Sequence, residues 1–526
     1  MQQGCYCCLF FSPRRRGNTQ GDREDGTMKT IEELCGQVSA THEVRGDARV
    51  QVRGITADSR DVHPGDLFVC VAGAHVDGKT FAAQAAAKGA VAVLTTEPLP
   101  LPDGTVQIIV PDIHAAVEEM VPFFYEYPGK KMRMIGVTGT NGKTTTTHII
   151  AHILRTAGYH VGVLGTIHAL MDDLELPIHN TTPDVVELQR FLAQMYARGI
   201  THVVMEVSSH ALALQRVAGI EYDTAVFTNL TQDHLDFHKT MENYAAAKAK
   251  LFRGLTAGTP VKKGKTAVLN RDDPWSVLMR KACGTAEVLT YGTEREASLR
   301  GTHLQVALKH SAFDVTGPFG DMHLQMNITG LFNVYNTLAA IGAAYAEGVD
   351  PETIGKAMQT FHAVPGRFEL VEAGQDFAIV VDYSHTPDSL EKALTTARAM
   401  NPHKIIVVFG CGGDRDRTKR PIMGRIAATH ADIPVVTSDN PRSENPEAIV
   451  AEVAAGVKEA LQPGQQYEVL TDRRRAIRRA VALANTGDMV LIAGKGHETY
   501  QILKDKTIHF DDREEARNAV AALKRE

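Results

Sequence analysis

Cysteine is scarce in this chain, with seven in 526 residues: Cys5, Cys7, Cys8, Cys35, Cys70, Cys283 and Cys411. Only the first three cluster and the other four stand alone, so neither a disulfide framework nor a zinc site is expected. Long apolar runs are also missing. None approaches the ~18 residues of a membrane span. There is no excess of positive charge; the net charge of −6 gives no reason to expect a nucleic-acid partner. No internal repeat is visible. A secretory signal is missing in form, because the apolar stretch Cys5–Phe11 is followed, not preceded, by Arg14-Arg15-Arg16. Residues 1–27 therefore read as a disordered extension, or as the product of a start codon placed too early, with Met28 as the functional start. The expected compartment is the cytoplasm.

What is present is a globular composition, 44% apolar over 526 residues, too long for one core and suited to about three domains. Residues 28–128 carry short strands (Asp66–Val71, Val91–Thr95, Gln107–Val110) and an Ala-rich helix at Phe81–Lys88. A Pro128-Gly129 hinge opens a block over 129–365, where strands Met134–Thr138, His202–Val207 and Thr224–Thr228 alternate with helical stretches and predict a parallel sheet. The breaker Val364-Pro365-Gly366 ends it. Residues 366–526 hold apolar strands Lys404–Phe409, Ile433–Thr437 and Met489–Ala493, each delivering a polar, Gly-containing loop at its carboxyl end. The expected fold is α/β in three domains, the last a Rossmann-like doubly wound sheet.

The middle block opens with Met134-Ile-Gly-Val-Thr-Gly-Thr-Asn-Gly-Lys143-Thr-Thr-Thr-Thr147. An apolar strand runs into a Gly-rich turn, then a lysine, then hydroxyls at a helix start. Gly139, Thr140, Asn141 and Gly142 can turn backbone N–H groups onto phosphate, Lys143 adds a point charge, and Thr144 or Thr145 offers an oxygen to Mg²⁺. The consensus would place glycine at Val137, so this is a P-loop variant. Glu206, at the tip of the apolar strand His202–Val207, is the expected second ligand for nucleotide-bound magnesium. His234, in Asp233-His234-Leu235-Asp236 one strand further on, is a metal-ligand candidate on the same sheet edge, against the commoner role of a structural histidine.

These motifs, with Glu206-Val207-Ser208-Ser209-His210 and Tyr244-Ala-Ala-Ala-Lys248, resemble the ATP-dependent Mur ligases of peptidoglycan synthesis over about residues 28–526. Asn180-Thr181-Thr182-Pro183-Asp184 is similar to the members that add the third residue of the stem peptide. The resemblance implies that Gly139 to Thr145 bind ATP phosphates, that Thr144, Glu206 and His234 hold magnesium, and that Asn270, Asn333 and Arg367 lie on the nucleotide. Asp382–Pro387 would reach back to ATP when the third domain closes. It implies that Asn180, Thr181, Thr182, Ser208 and Arg216 contact a UDP-muramoyl dipeptide, and that Ser59 with Ala74, His75 and Val76 bind its uridine nucleotide. Leu214 departs from the glutamine that some members carry two residues before Arg216. Lys248 would be carbamylated and support a second magnesium, with Lys143, Glu206 and His234 as its catalytic company. Read from its helix alone, Lys248 is a solvated surface charge.

In the last block, Gly412–Arg417, Asp439-Asn440-Pro441-Arg442 and Gly494-Lys495-Gly496-His497-Glu498 put arginines and carboxylates at three strand ends, a pattern suited to a small zwitterion. By the same resemblance, Asp439 to Arg442 imply meso-diaminopimelate, with Arg415, Gly494 and Glu498 beside it. A guanidinium fork can grip the distal carboxylate that lysine lacks. Asp472 with Arg473–Arg475, Arg478 and Arg479 reads as a solvated basic face. The implied activity is an ADP-forming amide ligase, monomeric, acting on small molecules with no nucleic-acid or membrane partner. Addition of L-lysine is the alternative. Folate polyglutamylation and a non-catalytic nucleotide-gated protein are the rival readings. The Asn180–Asp184 and Asp439–Arg442 motifs disfavour the first rival, and the complete set Lys143, Glu206, His234 and Lys248 disfavours the second.

Overall fold

The computed structural model describes residues 28–71, 77–172, 174–176, 178, 180–258, 260–308 and 310–523. The expectations for residues 1–27 and for Ala74, His75 and Val76 fall outside the described residues. The chain is α/β and forms two compact units. One runs through Leu299 and takes in Leu338–Ile354; the other comprises Arg300–Thr337 and the chain from Gly355 onward.

The first unit holds two main sheets. The smaller orders its strands Glu43–Arg45, Val106–Ile109, Ala92–Thr95, Asp66–Val69 and Gly54–Thr56, parallel except for the first. The helix expected at Phe81–Lys88 is a 3₁₀ turn Gly78–Phe81 followed by Ala82–Ala87, because Asp77 caps the turn through the Lys79 N–H. The larger sheet has a parallel run, Val161–Leu164, His202–Glu206, Arg133–Thr138, Thr224–Phe227, Thr266–Asn270 and Glu287–Gly292, with Ala169–Met171 and Leu174–Leu176 added antiparallel beyond Val161–Leu164. Its central strands are buried apart from the half-buried Arg133 at the start of one, as the apolar runs of a helix-covered parallel sheet must be. The chain leaves strand Arg133–Thr138 for one side and later returns on the other. That reversal opens a crevice at the strand's carboxyl end.

The second unit contains an antiparallel ladder formed by residues 300–306, 311–317 and 320–326. Its main sheet orders Glu369–Leu370, Ala378–Asp382, Met489–Ala493, Ile405–Phe409, Ile433–Val436 and Glu468–Val469, parallel apart from the first strand. Met489–Ala493 enters last, between two earlier strands, so the loops after four strands gather at one edge. The helix Arg473–Leu483 corrects the sequence reading. Arg474, Arg475, Arg478 and Arg479 are exposed, but Arg473 is buried and forks onto Asp512 with Nε and a terminal nitrogen at 2.7 and 2.6 Å. Among the described residues no helix is long and apolar enough to cross a membrane. Cys35, Cys70, Cys283 and Cys411 are buried free thiols.

Candidate active site

The P-loop sits at that crevice. Gly139 has φ +152°, and a Cβ there would fall 1.9 Å from Thr228 Oγ1, so only glycine fits. The loop is tied to the next strand's end. The Thr140 N–H donates to the Asn229 carbonyl at 2.8 Å, and the Asn141 N–H to Asn229 Oδ1 at 3.0 Å. Thr228 Oγ1 donates to the Asn141 carbonyl at 2.7 Å. Lys143 opens the helix Lys143–Thr156 and folds its ammonium onto the Gly139 and Thr140 carbonyls at 2.9 and 2.8 Å.

Glu206 is 1% exposed. Its carboxylate accepts from Thr144 Oγ1 at 3.1 Å, from the Thr166 N–H at 2.8 Å and from Thr166 Oγ1 at 3.2 Å. Of the two candidate hydroxyls, Thr144 is the one beside the carboxylate. The same strand end carries the expected substrate residues. Thr182 Oγ1 donates to the Glu206 carbonyl at 2.9 Å and accepts from the Ser208 N–H at 3.0 Å. Thr181 Oγ1 meets Thr166 Oγ1 at 3.1 Å, and Arg216 donates to the Thr182 carbonyl at 3.4 Å. Ser208 also caps the helix Ser209–Ala213. Asn180 is exposed, and Leu214 is exposed beside this group.

Lys248 is buried, not solvated, in the helix Met241–Arg253. Its Nζ donates to the Gly139 carbonyl at 2.8 Å, the oxygen that Lys143 also takes, and lies 4.5 Å from the Tyr244 ring centre. Burial, then repulsion from Lys143, holds its ammonium well below the ordinary lysine range, against the pull of Asp233. His234 adopts φ +52° and its ring stands edge-on to His210 at 4.8 Å. Burial lowers its pKa while Asp233 raises it. Its contacts run to Asp233, His210 and Tyr244, and Tyr244 OH reaches Thr140 Oγ1 at 3.1 Å. Among the described residues no three His, Cys, Asp or Glu side chains form a metal cage.

Asn270 donates to the Thr228 carbonyl at 2.7 Å, which places it beside the P-loop's partner strand. Ser59 is half-buried, with its carbonyl taking the Lys88 ammonium at 2.7 Å. In the second unit, Asn333 is buried and donates to the Thr329 carbonyl at 2.8 Å. Arg367 lies over the Tyr383 ring at 5.2 Å, and its buried Nε donates to nothing among the described residues.

The second unit's loops gather as the strand ends require. Arg442, at φ +53°, donates to the Gly413 carbonyl at 2.9 Å, and Asn440 Nδ2 donates to Glu498 Oε2 at 2.9 Å. Asp439 and Pro441 are buried, and a Cβ on Gly494 (φ +122°) would meet Asp439 Oδ2 at 2.6 Å. Arg415 is exposed, with its guanidinium on the neighbouring Asp414 carbonyl at 3.0 Å. Sequence reasoning missed Thr166, whose role depends on which strands become neighbours, and it gave Lys495 no role.

A cleft of about 550 Å³ lies elsewhere, at the amino ends of the central strands, lined by Lys131, Arg133, Tyr196, His202 and Lys262. Its cations are already engaged. Arg133 pairs with Asp223 and Glu347, Lys262 with Asp223, and Lys131 with Glu126.

Residues 51–125 match the catalytic domain of the Mur ligase family, 137–344 the Mur ligase middle domain, and 366–496 the Mur ligase glutamate ligase domain. The UDP-N-acetylmuramoyl-L-alanyl-D-glutamate–2,6-diaminopimelate ligase of Syntrophomonas wolfei is 47% identical over 466 residues, covering 89% of this chain and 94% of its own. The enzyme of the same name from Geobacillus thermodenitrificans is 48% identical over 463 residues, covering 88% and 94%. A solved structure bearing that name superposes with a TM-score of 0.67 at 33% identity, over 94% of this chain and 99% of the other.

Proposed function

This chain belongs to the Mur ligase family, and from that premise we propose how its residues carry out the reaction. The protein is an ATP-dependent, ADP-forming ligase that adds meso-diaminopimelate to UDP-N-acetylmuramoyl-L-alanyl-D-glutamate in peptidoglycan biosynthesis. ATP's γ-phosphoryl passes to the D-glutamate γ-carboxylate. A diaminopimelate amine attacks the acyl phosphate, the amide bond forms, and phosphate leaves with a proton lost from the amine. The observation that carries the residue assignment is one continuous hydrogen-bonded group, Thr144–Glu206–Thr182, with Ser208 and Arg216 both bonded to Thr182. It joins the phosphate loop to the residues expected on the dipeptide.

The hydroxyl of Thr144 and the carboxylate of Glu206 are the hard oxygen donors magnesium prefers, and His234, kept neutral by burial, is the third proposed ligand. Magnesium there supplies charge neutralisation for a carboxylate meeting a triphosphate. Lys143 leaves the Gly139 and Thr140 carbonyls to pair with phosphate oxygens. Thr166 holds Glu206 in register. Asn270, Asn333 and Arg367 are assigned to the nucleotide, and the orphaned Nε of Arg367 suits an anion.

Lys248 fits a carbamate. Addition to CO₂ needs a neutral amine, which burial and Lys143 favour. The nitrogen bonds the CO₂ carbon as one C–O π bond opens, one proton departs to solvent, and a neutral amine beside Lys143 becomes an anion able to support a second magnesium. Ser59, Ala74, His75 and Val76 are assigned to the uridine nucleotide, and Arg415, Arg442, Asn440 and Glu498 to diaminopimelate. The domain limits are placed at residues 128 and 365, and the enzyme works as a cytoplasmic monomer.

The test is direct. Purified protein with ATP, the UDP-muramoyl dipeptide and a panel of amino acids is read by mass spectrometry. The expected result is the diaminopimelate tripeptide with one ADP per bond. No product with any amino acid overturns the reading.

A further inference from the structure

Lys495, in the loop after strand Met489–Ala493, is a buried cation to which nothing above gives a role in the reaction. It is 0% exposed. We propose that Lys495 is a positioning residue for the amino-acid substrate. It acts by fixing the orientation of the Asn440 carboxamide and the Glu498 carboxylate. The proposal rests on the assignment of those two residues to diaminopimelate.

The Lys495 Nζ lies 3.2 Å from Asn440 Oδ1 and 3.1 Å from Glu498 Oε2. Asp439 is 3.9 Å away and the Tyr500 ring centre 5.5 Å. An ammonium has only donors, so the oxygen of the Asn440 amide must face it and not the NH₂ group. The Ile502 N–H donates to that same oxygen at 2.9 Å. With Oδ1 committed twice, Nδ2 is turned toward Glu498 and donates to Oε2 at 2.9 Å. Glu498 Oε2 thus has two donors, while Oε1 accepts nothing among the described residues. One oxygen is anchored, and the other is left for a substrate ammonium.

The surrounding backbone is already fixed. Gln501 Nε2 donates to the Asp439 carbonyl at 2.6 Å, and the Arg442 N–H donates to the Ile502 carbonyl at 3.1 Å. The Arg473 guanidinium holds the Ala493 carbonyl at 3.0 Å, where the loop begins. What remains free is the side-chain torsions of Asn440 and Glu498, and Lys495 restrains both. It also supplies the positive charge between two carboxylates, Asp439 and Glu498, that would otherwise repel in a largely desolvated setting. A carboxylate aimed before the substrate arrives need not be ordered on binding, and that gain appears as affinity.

The experiment compares steady-state kinetics of wild type, Lys495→Met and Glu498→Gln, with all three substrates varied and melting temperatures measured. Lys495→Met keeps the length and removes the charge. The KM for diaminopimelate should rise at least tenfold, while the KM for ATP and for the UDP-muramoyl dipeptide stay within twofold. The Lys495→Met/Glu498→Gln double variant should lose less than the two single losses combined, because Lys495 acts in part through Glu498. A general structural role would instead move all three KM values or kcat. A diaminopimelate KM within threefold of wild type, or additive losses in the double variant, overturns the proposal. Should Lys495→Met fail to fold, Lys495→Gln, which keeps hydrogen-bond donors without the charge, is measured in its place. If both are unfolded, Lys495 is a folding residue and the proposal is wrong. A wild type that ligates no diaminopimelate would refute the proposed function instead.

Discussion

The strongest quantitative prediction concerns Asp512→Asn. Asp512 and Arg473 are each 0% exposed at the side chain, and the fork between them uses two nitrogens on two oxygens. A third nitrogen of Arg473 is buried with no hydrogen-bond partner among the described residues, so the guanidinium already has little in reserve. Replacing the carboxylate with an amide leaves a buried cation uncompensated, which costs about 3–5 kcal/mol. Asp512 also opens the helix Asp512–Leu523, where a negative charge contributes a further ~0.3–1 kcal/mol. At about 2–4 °C per kcal/mol for a unit of this size, the melting transition should fall by roughly 7–24 °C. Calorimetry reads it, with Arg473→Leu/Asp512→Leu as the control. Removing both charges should bring the transition back close to wild type. Because Arg473 holds the Ala493 carbonyl, the single variant should also raise the diaminopimelate KM. A single variant melting within 2 °C of wild type, a bound set at about 1 kcal/mol, would refute the reasoning.

Lys143→Ala should lower ligation by on the order of 10³-fold with an unchanged melt, and activity within tenfold of wild type would count against the P-loop assignment. Lys248→Arg should be inactive, and Lys248→Ala should regain activity with short carboxylic acids; ¹³C-bicarbonate should give a carbamate resonance that both variants lack. Because burial and Lys143 lower the Lys248 pKa, that resonance should appear at neutral pH without alkaline treatment, and a signal found only near pH 10 would contradict this. Arg442→Ala should raise the diaminopimelate KM and narrow the preference over L-lysine, a preference that can reach about 10⁴-fold when a charged partner is missing. Equal use of lysine by the wild type would remove the specificity argument.

The parallel strands were legible because each is a short, continuous apolar run. Ile405–Phe409, buried at all five positions, needs no long-range information to be recognised. The P-loop and the Glu206 strand tip were legible because their chemistry is local in the chain. Thr166 was not. It lies 40 residues before Glu206 and meets it only because Val161–Leu164 becomes the neighbour of His202–Glu206. Arg473 looked like one of a run of surface arginines, since its partner lies 39 residues on. Lys248 looked exposed because an Ala-rich helix shows little amphipathic contrast, and only its contact with Gly139, 109 residues away, reveals its burial. The left-handed backbone at His234 and Arg442 also left no trace in residue type, because glycine is the usual marker of that conformation.

The wedge of Thr228 against Gly139 has a consequence for how this site can change. A methyl at 139 collides with Oγ1 at 1.9 Å, and removing that hydroxyl still leaves Asn229 backbone atoms at 3.1 Å and a φ that L-residues rarely adopt. Position 139 is therefore closed to drift by a single step, and a change at 228 does not open it. An inhibitor seated against the Gly139 backbone would face a wall that resistance mutations at that position cannot reshape.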